Sequence, residues 1–376
     1  MEATIKKVCI LQNGLARGGT DTFVVNLCRA IDKKRFKITV VNPSVKPESQ
    51  VREPEVLATG ARIVHSSPLT SITSKIRHLK ILYRILKDEN YDVFQTNIDL
   101  FNGPNLFVAW LAGVPVRCCH SHNGMQQKSI IQGITLSIRI YQSVMKWMCW
   151  TFANRHCGCS DVANEFLYTG KPWRHVNYPT IINNGIDIDF YREGIHIEKK
   201  RKKLGFTKKY HILTVGRIIP QKNPIFIAET ISELCKKRSD VDFVWISDGP
   251  LKNACIRVFE AAGVLDRIHF LGFRTDVADI MKCCNLFYMP SVFEGLPLVL
   301  VESQAAGLPC LVSENITKQA NCGAVQYLSL ERPIEDWAKA MSDILDGKTI
   351  LKTDENKIQA FSIRHMAEQM MQVFQK

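Results

Sequence analysis

A chain of 376 residues has room for two α/β domains of ordinary size, each with a core of its own. Hydrophobic residues at 46% and charged residues at 23% exclude a disordered or fibrous chain. The 49 Lys and Arg outnumber the 36 Asp and Glu, and the resulting +13 favours anionic partners without choosing between nucleic acid, anionic lipid and phosphorylated ligands. From Met1 the chain runs straight into an apolar strand at Val8-Cys9-Ile10-Leu11, so no signal peptide is expected. The longest nearly apolar run, residues 106–116, falls short of the roughly 20 residues of a membrane span. Thirteen cysteines show no metal-ligand spacing and read as buried thiols of a reducing compartment. The expected location is the cytoplasm, with peripheral attachment to the inner face of the cell membrane left open.

In chain order, residues 6–12, 36–41, 61–65, 92–96, 116–120 and 156–159 read as strands, with helices at 22–31 and 75–87 among them. After a basic break at residues 199–203 the alternation resumes. Strands are expected at 211–215, 242–247, 268–271, 286–289 and 310–313, with helices at 224–237, 251–262, 297–307 and, last, 358–376. Such alternation predicts an α/β fold of two doubly wound parallel sheets, with ligands beyond the carboxyl ends of the strands. The domain break is placed in residues 184–201, and its lysines read as a solvated helix face or linker.

Phe293-Glu294-Gly295-Leu296-Pro297 follows a predicted strand and opens a helix that carries Glu302. Pro297 suits the first helical turn. The amides of Gly295, Leu296 and Leu298 are then free for phosphate or sugar oxygens, and two carboxylates eight residues apart can grip hydroxyls. This string, continuing through Glu302-Ser303-Gln304-Ala305-Ala306-Gly307-Leu308-Pro309, resembles the E-x7-E signature of family 4 retaining glycosyltransferases. Upstream, Gly216-Arg217 and Lys222 resemble the family's donor-diphosphate loop. There Arg217 can fork two phosphate oxygens, Lys222 adds a point charge and Gly216 admits a close backbone approach. Ser247-Asp248-Gly249-Pro250 is similar to the family's G-[DE]-G-P turn, with Ser247 in place of the usual Gly, and Gly272-Phe273 sits where members meet the nucleotide base.

In the first half, Gly18-Gly19-Thr20-Asp21 resembles the family's G-G-x-E loop, with Asp21 where Glu is usual. The segment His120-Ser121-His122-Asn123 resembles one found in capsule and exopolysaccharide members, and His122 rather than His120 is taken as the site residue. Asn184-Gly185-Ile186-Asp187 resembles the junction segment, where Gly185 is expected to allow an unusual backbone angle. Asp187 and Asp189 read as part of that hinge and not as a metal site.

The resemblance implies the GT-B fold, two Rossmann-like domains facing across a cleft. Residues 1–188 would form the acceptor side, residues 189–357 the nucleotide-sugar side, and residues 358–376 a helix crossing back. It implies a hexosyl transfer with retention from a nucleotide-diphosphate sugar to a glycan or lipid-linked acceptor in capsular or exopolysaccharide synthesis. His122, Arg217, Lys222 and Glu294 would carry the chemistry. Gly18, Gly19, Gly216, Gly272, Phe273, Gly295, Leu296, Pro297, Leu298 and Glu302 would bind the donor. No cofactor or metal is expected, since cations and a helix start neutralise the leaving group. Residues 129–155 mix Ile, Tyr, Met and Trp with Lys and Arg, and read equally as an amphipathic helix on an anionic membrane or as a long core helix. Two rival functions remain: a nucleotide-sugar epimerase of the same architecture, and a basic nucleic-acid-binding module. The latter is disfavoured because the cations cluster and do not form stripes with interleaved aromatics.

Overall fold

A computed structural model describes residues 4–375 apart from 17, 45, 47, 49, 123–134 and 169–177. Contacts divide the chain into two compact units, Met1–Gly185 with Ile363–Lys376, and Ile186–Ser362. The boundaries fall a few residues from those expected. The expected final helix is also interrupted: Glu355–Gln359 belongs to the second unit, and Ile363–Gln375 packs in the first. The break falls at a turn where the backbone of Phe361 and Ser362 pairs with Ile186. Phe361 accepts a 2.7 Å bond from the Ile186 amide, and Ser362 bridges Ile186 in parallel.

Among its described residues the first unit holds seven parallel strands: β1 Lys6–Leu11, β2 Phe36–Asn42, β3 Arg62–His65, β4 Val93–Thr96, β5 Val116–Ser121, β6 Arg155–Gly158 and β7 Thr180–Ile181. Their order is β3-β2-β1-β4-β5-β6-β7. β1 is apolar at consecutive positions because both faces are covered. Val8 and Ile10 enter a core with Phe23, Val25, Met366 and Phe374, whereas Cys9 and Leu11 enter the opposite one with Phe94, Leu106 and Tyr168. Met366, Met370 and Phe374 dock the last helix, and each side chain so buried stabilises by roughly 1.5–3 kcal/mol.

The second unit holds six: β8 Tyr210–Val215, β9 Val241–Ile246, β10 Ile268–Gly272, β11 Leu286–Met289, β12 Cys310–Ser313 and β13 Val325–Leu328, in the order β10-β9-β8-β11-β12-β13, all parallel. Val244 and Ile246 face one core, Phe243 and Trp245 the other. The basic break is the helix Ile197–Leu204, none of whose residues is fully buried, with Leu204 partly packed on the core; its Lys200 reaches Asp276 at 2.7 Å and Asp279 at 2.9 Å. In each sheet the strand order reverses beside the first strand, between β1 and β4 and between β8 and β11. Loops splay apart at such a switch point, and ligands settle there.

Candidate functional site

Gly216, Arg217, Lys222 and Glu294 of the second unit lie at the switch point of β8 and β11, whereas Gly272 and Phe273 follow the edge strand β10. β8 is followed by Gly216, whose φ of 152° favours glycine and where a Cβ would stand 2.9 Å from Cε of Lys222. The Gly216 amide donates to Ile246 and its carbonyl accepts from the Trp245 indole at 3.1 Å, so the turn is fixed to β9. Ile218 is buried and anchors the loop, while the exposed Arg217 guanidinium makes no hydrogen bond or ion pair among the described residues. A short turn at Pro220–Lys222 then swings Lys222 back.

Glu294 enters from the loop after β11. Its carboxylate lies 2.6 Å from Nζ of Lys222, with side-chain exposures of 10% and 15%. Gln221 ties the two loops together: its carbonyl accepts from the Val292 amide at 2.9 Å, and Nε2 donates to the Phe293 carbonyl at 3.2 Å and to Glu294 at 3.4 Å. The helix Leu298–Ala305 begins beside this pair with Pro297 at its N-cap and no side chain capping it. No hydrogen bond engages the Gly295, Leu296 or Leu298 amide among the described residues. Gly295 has no positive φ, and a Cβ there would meet nothing within 4 Å. The fold itself therefore does not require glycine at 295.

Glu302 lies within that helix, half-buried. Burial pushes its carboxyl up to about 7, against the Tyr191 hydroxyl, which hydrogen-bonds the carboxylate and favours its charge. Tyr191 sits on Ile188–Arg192 and was not expected; a lone tyrosine far away in sequence carries no spacing signal. Gly272, at φ 62°, closes β10, and Phe273 is 70% exposed. The turn Ser247–Pro250 packs backbone against backbone: a Cβ on Gly249 would come within 2.5 Å of the Ile218 carbonyl oxygen. Ser247 itself has φ 117°, which explains why the family pattern has glycine there. Ser247→Gly relieves this conformation at some cost in unfolded-state entropy, for a net gain on the order of 1 kcal/mol. Calorimetry should find the unit's melting point raised by about 2–4 °C, and an unchanged or lower value would refute the strain.

In the first unit, β1 leads into the loop before the helix Gly19–Ala30. Asp21 holds that loop: one oxygen accepts from the Gly18 amide at 2.9 Å and the Ala16 amide at 3.1 Å, the other from Gln12 at 2.8 Å. The Asp21 carboxylate is thus occupied in shaping the loop, while Gly18 and Gly19 stay exposed. At the end of β5, His120 and His122 lie with ring centroids 4.1 Å apart, both against Phe23. Burial holds His122 down to about 3, with the Asn184 side chain pushing weakly the other way. A neutral imidazole whose Nε2 lies 3.3 Å from Oδ1 of Asn97 donates there and leaves Nδ1 as an acceptor. Asn97 and Gln95, which contacts His120 at 3.3 Å, are further members of this group that the sequence did not single out. Asn123 lies outside the described residues.

Gly185 corrects an expectation. Its φ is not positive; a Cβ would stand 2.7 Å from Cα of Ile363, so close approach of the last helix, not an unusual angle, requires glycine. Asp187 accepts from the Phe190 amide at 3.2 Å and caps a helix.

Two family models match the chain: Glycosyltransferase Family 4 over residues 17–190, and Glycosyl transferases group 1 over residues 209–347. A UDP-Gal:alpha-D-GlcNAc-diphosphoundecaprenol alpha-1,3-galactosyltransferase of Escherichia coli is 30% identical across 77% of this chain and 76% of its own length. The chain belongs to the family 4 glycosyltransferases. The glycosyltransferase is also 29% identical to EpsF of Bacillus subtilis (strain 168), a protein named as a glycosyltransferase, over 91% of this chain and 88% of that one. A crystal structure of Anabaena Alr3699/HepE in complex with UDP superposes with a TM-score of 0.80 at 15% identity, covering 99% and 100% of the two chains, and marks the fold as GT-B. With relatives named for transfer, this glycosyltransferase is an enzyme of transfer, and that reading is favoured over the epimerase of the same architecture.

Proposed function

We propose that this glycosyltransferase moves a sugar from a UDP-sugar to a lipid-linked glycan acceptor at the cytoplasmic membrane face, with retention and without a metal, in capsular or exopolysaccharide assembly. The observation that carries the donor side is the Lys222–Glu294 pair set against the uncapped start of Leu298–Ala305. The helix amides and Lys222 face a diphosphate, with Arg217 free to swing onto it. Glu294 accepts from sugar hydroxyls, and Glu302 from the ribose. As the bond from the anomeric carbon to the diphosphate breaks, the acceptor oxygen bonds the same face and its proton leaves with the diphosphate. The protein's part is positioning and charge stabilisation. Gly18 and Gly19 leave exposed backbone available to a ligand in the first unit, and Gly272-Phe273 offers an aromatic beside the donor's base in the second. Neutral His122 offers hydrogen bonds, not a stored proton. Uridine is supported by the UDP of the Anabaena structure. Retention and the lipid acceptor are supported by the E. coli relative, whose name gives a diphosphoundecaprenol acceptor and an α-linked product from UDP-Gal.

The test supplies labelled UDP-sugars to the enzyme with bacterial membrane extract and a chelator. Label entering a lipid-soluble glycan supports the reading. Label found only in an isomerised nucleotide sugar, or transfer abolished by chelation, would sink the corresponding part of it.

A further inference from the structure

Among the described residues no helix is long and apolar enough to cross a membrane. An acceptor held in a bilayer therefore has to be met at its surface, and the first unit carries a face suited to that. The helix Asn102–Leu111 packs between Ile72–Glu89 and Leu136–Phe152, and the three share one core beneath. Leu136–Phe152 buries only Cys149 fully, although 17 residues long. Leu136, Ile140, Val144 and Trp147 recur at helical spacing and are all exposed, Trp147 by 58%. Trp110, 50% exposed on the neighbouring helix, meets them through Phe152, whose ring centroid lies 5.6 Å from that of Trp110 and 6.1 Å from that of Trp147. This is a continuous apolar face with two indoles at its surface, and scattered single hydrophobes do not produce one.

The charges beside it choose its occupant. Asn102–Leu111 and Leu136–Phe152 contain no acidic residue, and the second carries Arg139 and Lys146. Along Ile72–Glu89 the exposed Arg77, Lys80 and Arg84 take part in no ion pair among the described residues. Cations without counter-ions among the described residues, on the same three helices as the exposed tryptophans and with acidic residues only at the far end of Ile72–Glu89, complement anionic headgroups over an acyl boundary. A second copy of the chain would set like charges against each other on this face. We infer that the outer face of these three helices docks the enzyme on an anionic lipid bilayer, indoles inserted at the headgroup level and the lysines and arginines on the lipid charge. Of the two sequence readings of residues 129–155, the exposed helix face favours the amphipathic one; residues 129–134 lie outside the described residues. The inference rests on the lipid-linked acceptor proposed above.

Sedimentation with vesicles of phosphatidylglycerol and phosphatidylcholine, against phosphatidylcholine alone, tests it. The full chain should partition into the anionic vesicles at least roughly tenfold more strongly, and less so at high salt. Trp110→Ser with Trp147→Ser should lower that partitioning by roughly tenfold or more. Lys80→Glu with Arg84→Glu should remove the preference for anionic lipid. These side chains are exposed, so both variants should melt as the parent does. Transfer to a water-soluble, short-chain acceptor, read in parallel, reports the proposed activity separately. Soluble transfer retained with no vesicle binding overturns the docking face alone. Equal partitioning of the tryptophan variant overturns it as well, and so does a concentration-dependent dimer that this variant dissociates while vesicles stay unbound. No transfer to either acceptor refutes the activity and leaves the vesicle result to decide the face.

Discussion

Lys222→Ala is expected to lower the transfer rate by about 10²–10³-fold, the effect of removing one preorganised charge from the path of a departing anion. The surroundings of Lys222 fix its position. Gly216 leaves no Cβ in the way of its stem, and Glu294 positions its ammonium at 2.6 Å. A competing explanation is that the variant fails because Glu294 loses its cation in a nearly enclosed place, where an unpaired charge is costly. The double variant Lys222→Ala, Glu294→Gln separates the two. If the lysine serves only to neutralise Glu294, the second substitution restores much of the rate. If it serves the diphosphate, the double variant is at least as slow as the lysine variant alone. Single-turnover rates at saturating donor are the measurement, with Arg217→Ala beside them. Arg217 is exposed and unpaired among the described residues, so its loss should weaken donor binding without disturbing the unliganded loop.

Much of this arrangement was legible in sequence because its parts are local. β1 and β8 are apolar at consecutive positions since both faces are buried, and F-E-G-L-P marks a strand end, a loop carboxylate and a helix start within a few residues. β13 was missed because Val325–Leu328 is a half-buried edge strand, and β7 because two residues make no pattern. The tie of Gln221 to Glu294, the Tyr191 contact to Glu302 and the Asn97 contact to His122 join residues distant in sequence. No periodicity encodes them. Gly185 and Ser247 show a subtler limit. A glycine or its replacement can be read from the string, but whether angle or space demands it depends on the neighbour that only folding brings in: Ile363 for the one, the Gly272 bridge for the other.

Acidification is expected to unfold the first unit before the second, starting above the range where carboxylates titrate. Four histidines of the first unit are held neutral by burial: His78 and His156 down to about 4, His122 to about 3, and His120 well below its ordinary value, the last also by repulsion from His122. The unfolded chain takes up these protons near 6.5 and the folded unit does not. The stabilising contribution is therefore whole above 6.5 and is lost as the pH falls toward 4 and 3. His78 shows the scale. It is fully buried, with Ser66 at 2.7 Å from Nδ1 and Asn105 at 3.1 Å from Nε2, and its displacement corresponds to something on the order of 3 kcal/mol. In the second unit His211, lowered to about 4 chiefly by burial, acts in the same direction. Glu302 acts against it, because a carboxyl raised to about 7 contributes stability that is present below 4.5 and is lost as the pH rises through 7. Trp150 stacks on His156 at 4.5 Å and reports the first unit by fluorescence, while the buried Trp245 and Trp337 report the second. An acid titration following each set through single-tryptophan variants should find the Trp150 signal changing first. His78→Gln, which keeps polar atoms at the site without a titrating ring, should move that transition to lower pH and leave the signal of Trp245 where it was. Coincident transitions for the two units, or a His78→Gln midpoint equal to the parent's, would show that the buried histidines do not set the acid limit.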